Sequence, residues 1–160
     1  MSRLIGKELT PALLQRLGGS EIEVHEGKII PICTIDETGW AHPALLSYYE
    51  IVAKSPSNLD MAVWKNSSTA INLRRAGKVT IIVSDHAINY YLKGSVREIQ
   101  FEMTGAAPVS RFRIMLEQVI EDQEANAEII TGLTYKRLTK RDSTDFSAKV
   151  FRLLRGDLSN

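Results

Sequence analysis

Several features that mark common protein classes are missing from this sequence. Cys33 is the only cysteine among 160 residues, so an intrachain disulfide is excluded. The 20 Lys and Arg residues nearly balance the 19 Asp and Glu residues, so no broad field is expected to attract nucleic acid or an anionic membrane surface. No apolar run approaches the roughly 20 residues of a membrane span, and the first residues lack a signal-peptide pattern. We therefore expect one cytoplasmic domain over residues 1–160, with neither nucleic acid nor membrane as a partner.

Recognisable catalytic motifs are also missing. His25, His42 and His86 are isolated from one another and from Cys33, so no metal site is expected. The sequence has no Gly-x-Ser-x-Gly, phosphate-loop or dinucleotide-binding glycine pattern. The acidic run at residues 121–124 is typical of a solvated face. Catalytic residues therefore stay unassigned.

Hydrophobic patterning predicts a mainly β protein. Six runs are predicted to be strands, over residues 28–36, 41–53, 59–65, 79–84, 88–104 and 131–139. The first run is expected to be buried on both faces. A change of parity near Arg97 predicts either a β-bulge or a strand with both faces buried. An antiparallel barrel with peripheral helices is the expected architecture, with its core over about residues 28–140.

Four helices are predicted around these strands. Thr10 is a candidate N-cap for a helix over residues 11–17, and a second short helix is expected over residues 67–76. Val109, Phe112, Leu116, Val119 and Ile120 recur at helical spacing with no Gly or Pro among them, which predicts a long helix over residues 109–123. A last apolar stripe predicts a helix from about residue 143 to Gly156.

The start of the second helix has the chemistry of an anion site. A helix N-terminus offers unpaired N–H groups and a positive dipole end, and three consecutive hydroxyl residues stand there, Ser67 to Thr69. Lys65, Arg74 and Arg75 could add positive charge. The alternative is an ordinary capping segment, since Ser and Thr are preferred N-caps with or without a ligand.

The sequence contains a series of short motifs in a characteristic order. They are Ile32 to Asp36 followed by Gly39, His42 to Tyr48, Trp64-Lys65, Ser68 to Leu73, Val79 to Val83, and Leu92 to Gly94. Over about residues 28–104 this order resembles the pyridoxamine phosphate oxidase-like FMN-binding split-barrel superfamily. The resemblance implies a six-stranded antiparallel split β-barrel, usually a homodimer, with FMN in the cleft between the subunits.

The resemblance also implies roles for individual residues. Leu45, Leu46 and Ser47 would border the flavin ring, with Trp64 and Lys65 beside it, while Ser67, Ser68 and Thr69 would hold the FMN phosphate and Asn72 would steady the turn. Family members that bind FMN well commonly carry a lysine where this chain has Thr69. Because charge-assisted hydrogen bonds are roughly twice as strong as neutral ones, Thr69 is expected to weaken phosphate binding unless Lys65 or an arginine of the partner subunit supplies the charge.

Adjacent aromatic pairs bear on the expected dimer. Tyr48-Tyr49 and Tyr90-Tyr91 lie in predicted strands, so alternation would turn one member of each pair outward, as at a dimer interface. The expected function is that of an FMN-dependent oxidoreductase. Two alternatives stay open, namely a non-catalytic module that binds FMN, haem or another planar ligand, and a barrel that has lost its ligand.

Overall fold

A computed structural model, which describes residues 1–157, contains eight strands and three helices. The strands are β1 (Ser2–Gly6), β2 (Ile29–Ile35), β3 (Ala41–Ser47), β4 (Ile51–Ser55), β5 (Asn58–Trp64), β6 (Lys78–Asp85), β7 (Ile88–Gln100) and β8 (Val109–Asp122). The helices are α1 (Pro11–Leu17), α2 (Ser68–Ala76) and α3 (Phe146–Arg155), and a 3₁₀ turn covers Ile22–His25. The predicted mainly β class is confirmed, although the strands number eight within residues 1–157 where six were expected.

The strands form one curled antiparallel sheet. Its order is β3-β2-β6-β7-β8-β5-β4, and β1 pairs separately with β8. The edge strands β3 and β4 are consecutive in sequence, and the Ala62 N–H of β5 donates to the Glu50 carbonyl between them at 2.8 Å. The two ends of the sheet therefore approach each other at this turn. The result is the half-barrel that a split barrel requires.

The core fills the inside of this half-barrel. Alternate residues of the central strands point inward, and Ile32, Leu59, Ile81, Leu92 and Phe112 are fully buried. Strand β2 is buried on one face only, because its burial alternates along its length, so the prediction of two buried faces is wrong.

The long helix predicted over residues 109–123 is a strand, β8. Ser110, Phe112, Ile114 and Leu116 are buried at the strand period of two. Opposite Lys93 and Gly94 the register then shifts by one residue, which makes Val119 the next buried position. The bulge thus creates the spacing of three that imitates a helix.

Of the remaining predictions of local structure, some are confirmed and others are wrong. Thr10 caps α1 by accepting a hydrogen bond from the Leu13 N–H, as predicted. The bulge predicted near Arg97 is confirmed, because the register shifts between Glu98 and Gln100 and leaves Ile99 of β7 as the extra residue. The run over residues 41–53 is two strands separated by a turn, and residues 131–139 form no strand but a single bridge of Thr134 to Lys28.

The paired tyrosines are held by the fold in two different ways. Tyr48 and Tyr49 are both buried, because they occupy the turn after β3, so the predicted outward member of that pair is absent. Tyr90 and Tyr91 are half-buried, and their hydroxyls donate to Glu121 at 2.9 Å and Asp122 at 3.0 Å. Among residues 1–157 no helix has the length and apolarity needed to cross a lipid bilayer.

Candidate functional site

The first turn of α2 is held by Ser67. The Ser67 Oγ accepts from the Ala70 N–H at 3.1 Å and donates to the Trp64 carbonyl at 2.8 Å. The helix ends at Gly77, which adopts a left-handed conformation with φ 61°. Because its hydroxyl is engaged in both contacts, Ser67 acts as an N-cap rather than as a free donor.

Ser68 and Thr69 leave donors open at this helix start. Within residues 1–157, neither their hydroxyls nor their backbone N–H groups have a hydrogen-bond partner. Ser68 is exposed, whereas Thr69 is 7% exposed. Two N–H groups and the Ser68 hydroxyl can therefore receive an anion's oxygen atoms.

The cations that the sequence offered for this site are engaged elsewhere. Lys65 forms an ion pair with Glu102, and Arg74 forms one with Glu98 at 2.7 Å. Arg75 donates to the Ile35 carbonyl. Of the two ion pairs, Lys65–Glu102 is the one with a largely exposed acid, since the Glu102 side chain is 54% exposed. Exposed ion pairs are weak, so Lys65 can leave Glu102 for another anion.

Asn72 joins α2 to the sheet. Its amide donates to the Thr34 hydroxyl at 3.1 Å, and that hydroxyl donates to the His42 carbonyl of β3 at 3.4 Å. Asn72 is 6% exposed and Thr34 is fully buried. Asn72 therefore fixes the helix against β2 and β3, which positions the open N–H groups without touching a ligand.

The three predicted residues of β3 differ in what they present. Leu45 is 61% exposed, whereas Leu46 is buried in the core. The Ser47 N–H and hydroxyl donate to Glu50 Oε2 at 2.6 Å and 3.0 Å. Leu45 thus offers apolar surface, and Ser47 organises the turn into β4.

Trp64 closes β5 and meets α3. Its ring stacks on that of Phe146 with centroids 5.6 Å apart and planes 14° apart, while 57% of the residue stays exposed. Nothing in the sequence indicated this contact, since an apolar stripe predicts that a helix packs but not on which residue. Trp64 nevertheless keeps open surface next to the start of α2.

Glu50 is a residue that the sequence reading missed. It lines the same small cavity as Trp64 and Phe146, and burial raises the pKa of its carboxyl. A local signal existed, because Ser47 and Glu50 have the Ser-x-x-Glu spacing in which the glutamate accepts from the serine N–H.

A second polar cluster surrounds Tyr48. Its hydroxyl accepts from Arg16 Nε at 2.7 Å, and Arg16 and Lys28 both pair with Asp85. Although burial opposes ionisation, hydrogen bonds from Lys28, the His86 N–H and Arg16 lower the pKa of Asp85 to about 2. This cluster ties the segment before β2 to the end of β6.

Comparisons with known proteins support the fold. No family model matches the chain. The uncharacterized protein YclD of Bacillus subtilis is 27% identical over 125 residues, which are 78% of this chain and 81% of YclD. Among solved structures, a candidate pyridoxamine 5'-phosphate oxidase from Lactobacillus delbrueckii matches with a TM-score of 0.57 and 14% identity, over 74% of this chain and 98% of that one.

Two further solved structures have the same architecture. HupZ from Group A Streptococcus matches with a TM-score of 0.53 and 15% identity, over 76% of this chain and 98% of that one. An FMN-binding protein from Syntrophomonas wolfei matches with a TM-score of 0.52 and 12% identity, over 72% and 90%. The chain therefore has the split-barrel fold of pyridoxamine 5'-phosphate oxidase-like proteins, and that sequence-based recognition is confirmed at the level of the fold.

Proposed function

We propose that this protein is an FMN-binding flavoprotein that acts as an oxidoreductase, with the flavin held between two copies of the chain. The observation that carries the proposal is the pair of open N–H groups at Ser68 and Thr69, directly after the exposed Trp64. A helix start of this kind suits a phosphate, and a flat apolar side chain beside it suits a flavin ring. The likeness to the S. wolfei FMN-binding protein adds support.

The residues present fit FMN only in part. The N–H groups of Ser68 and Thr69 and the Ser68 hydroxyl would hold the phosphate, and Leu45 and Trp64 would shield the ring from water. FMN, when bound, supplies the redox chemistry. The missing element is positive charge, which Lys65 could provide if it exchanged Glu102 for the phosphate. We expect weaker binding than a lysine at position 69 would give.

An exposed apolar sheet face supports a homodimer. Cross-strand pairs of β2 and β3 place Pro31 beside Leu45, Cys33 beside Pro43 and Ile35 beside Ala41. Leu45 and Ile35 are 61% and 39% exposed. A contiguous apolar face of this kind is typical of an interface, and a second copy would cover it next to the proposed flavin site.

FMN titration tests the proposal. We expect FMN fluorescence to be quenched saturably at one flavin per chain, and light scattering to give the mass of a dimer. Anaerobic mixing of the loaded protein with NADH or NADPH should bleach the flavin absorbance. Protein that leaves the fluorescence of excess FMN unchanged would contradict flavin binding, and loaded protein that no reductant bleaches would favour a non-catalytic binding module.

Thr69→Lys should strengthen FMN binding by about tenfold to a hundredfold, because one charge-assisted hydrogen bond contributes roughly 1.5–3 kcal/mol. The measurement is the FMN dissociation constant. Ile71→Lys is the matched control, since it adds the same charge to an exposed position of the same helix. Equal gains in both variants would mean general charge attraction instead of a phosphate contact.

A barrel without a ligand is the second candidate. The observation in its favour is that Lys65, Arg74 and Arg75 are all engaged with protein groups. In that case Thr69→Lys would gain no FMN affinity.

A further inference from the structure

A small cavity lies between α3 and the sheet, and both rings of the Trp64–Phe146 stack line it. Its volume is about 100 Å³. Its apolar walls include Val63, Trp64, Val109, Phe146 and Val150. The space equals the share of about three water molecules in the liquid, so it admits a compact group of a few heavy atoms.

Glu50 is the acid in this cavity. Its Oε2 accepts both hydrogen bonds from Ser47, whereas its Oε1 has no hydrogen-bond partner within residues 1–157. The other polar lining residue is Ser147, whose hydroxyl already donates to Asp145 at 2.7 Å. Of the carboxyl and hydroxyl oxygens of these two lining residues, Glu50 Oε1 is therefore the one without a partner within residues 1–157.

Glu50 also lacks the charge compensation that the most buried acids of this protein have. Asp60 pairs with Arg111 and Arg113, Asp85 with Arg16 and Lys28, and Asp145 with Arg137 and Arg141. Glu50 forms no ion pair in the part of the chain that the structure describes. The Arg141 charge favours the ionised carboxylate from a distance, but burial outweighs it and raises the pKa of Glu50. Glu50 is only partly exposed. A partly buried acid without a paired cation carries an uncompensated charge, and a ligand with positive charge would compensate it.

We propose that this cavity binds a small organic cation, with its ammonium group against Glu50 and its apolar part against the valines and the aromatic pair. Two observations favour this class of ligand, namely the carboxyl without an ion pair and the apolar walls. An amine of about the size of ethylammonium is small enough for this volume.

This site is independent of the proposed flavin. Phe146 stacks on one face of Trp64, while the flavin is proposed to use the surface of Trp64 that stays exposed. The cation would be bound by protein that holds no FMN. Failure of one proposal therefore leaves the other intact, because their readouts differ.

Titration of the ¹⁵N-labelled full chain without FMN tests the proposal at pH 8. Ethylammonium chloride, at constant ionic strength, should shift the Ser47 amide and the Trp64 indole N–H signals saturably. Ethanol, a neutral molecule of similar size, should bind at least tenfold more weakly. Trp40 serves as an internal control, because its exposed indole lies on the turn between β2 and β3 and should not respond.

Glu50→Gln should weaken ethylammonium binding at least tenfold while keeping an acceptor for the Ser47 N–H. Glu117→Gln, an exposed acid of β8, is the matched control and should bind like the original protein. If Glu50→Gln does not fold, the pH dependence of the original protein decides, since binding should weaken as Glu50 takes up a proton at lower pH. Equal binding of ethanol, or binding that neither Glu50→Gln nor low pH weakens, would overturn the assignment. So would the absence of any saturable shift.

Discussion

Asp60→Asn is expected to lower the free energy of unfolding by about 3 kcal/mol, the low end of the cost of removing one partner from a buried ion pair. The Asp60 side chain is fully buried, and it accepts from Arg113 at 2.7 Å and from Arg111. Although burial opposes ionisation, these arginines hold the pKa of Asp60 below its usual value. Without the carboxylate, two guanidinium groups would face each other under α3 with no anion between them.

Urea unfolding at pH 7 measures the effect of this substitution. Glu102→Gln is the control, because it removes the same charge from the exposed Lys65–Glu102 pair and should cost less than about 1 kcal/mol. The arginine pair also lies beneath the end of α3, where Lys54 donates to the Leu154 and Arg155 carbonyls at 2.9 Å. We therefore expect the loss to reach α3. Equal losses in both variants would show that Asp60 does not act as a buried charge.

His25 should make the protein less stable as the pH falls from about 6.5 to about 4. Burial first, and then the nearby Arg16 and Lys28, lower the pKa of His25 from 6.5 to about 4. Below pH 6.5 the unfolded chain binds a proton that the folded chain does not bind, so the free energy of unfolding drops until the folded form also titrates. The drop attributable to His25 is about 3 kcal/mol, from roughly 1.36 kcal/mol per unit of pKa.

The environment of His25 explains why the folded chain does not bind this proton. The residue is 7% exposed, its ring stacks on Tyr48 at 4.4 Å, and its Nδ1 is a buried atom without a partner within residues 1–157. The acids facing it, Asp85 and Glu21, offset only part of the positive charge. In the described part of the chain, no acceptor is placed to receive a hydrogen bond from a protonated Nδ1.

Unfolding curves at several pH values between 7 and 4 measure this effect. His25→Phe keeps an aromatic ring against Tyr48 and should flatten the pH dependence. Subtracting the stability profile of His25→Phe from that of the original protein cancels the contributions of the other titrating groups. One of these is Glu50, whose raised pKa changes the stability in the opposite direction. A profile in His25→Phe as steep as in the original protein would refute the assignment.

Local signals in the sequence were sufficient for the short elements. Thr10 and Ser67 cap their helices with their own side chains, and Gly77 ends α2 with a left-handed conformation. Each of these contacts joins residues within a few positions of one another, so the pattern carries the information. The split barrel was likewise predictable, because the order of short motifs over residues 28–104 resembles that of a known split-barrel superfamily.

The features that could not be predicted depend on contacts between residues distant in the sequence. The bulge opposite Lys93 and Gly94 changes the period of β8, and it depends on pairing with β7 rather than on β8 alone. The candidate site also depends on distant contacts, namely the ion pair of Lys65 with Glu102 and the stacking of Trp64 on Phe146. The capping role of Ser67 could be predicted from its neighbours, but the engagement of the nearby cations could not.

The pairing of β1 with β8 bears on how the chain folds. Ser2 bonds to Asp122 at 2.5 Å, across 120 positions of sequence. During synthesis β1 must wait until β8 has been made, and closing so large a loop precedes any gain from the pairing. We infer that the sheet assembles late and slowly around β8, which also pairs with β5 and β7. Until β8 has been made, the unpaired edges of the earlier strands can associate with other copies of the chain.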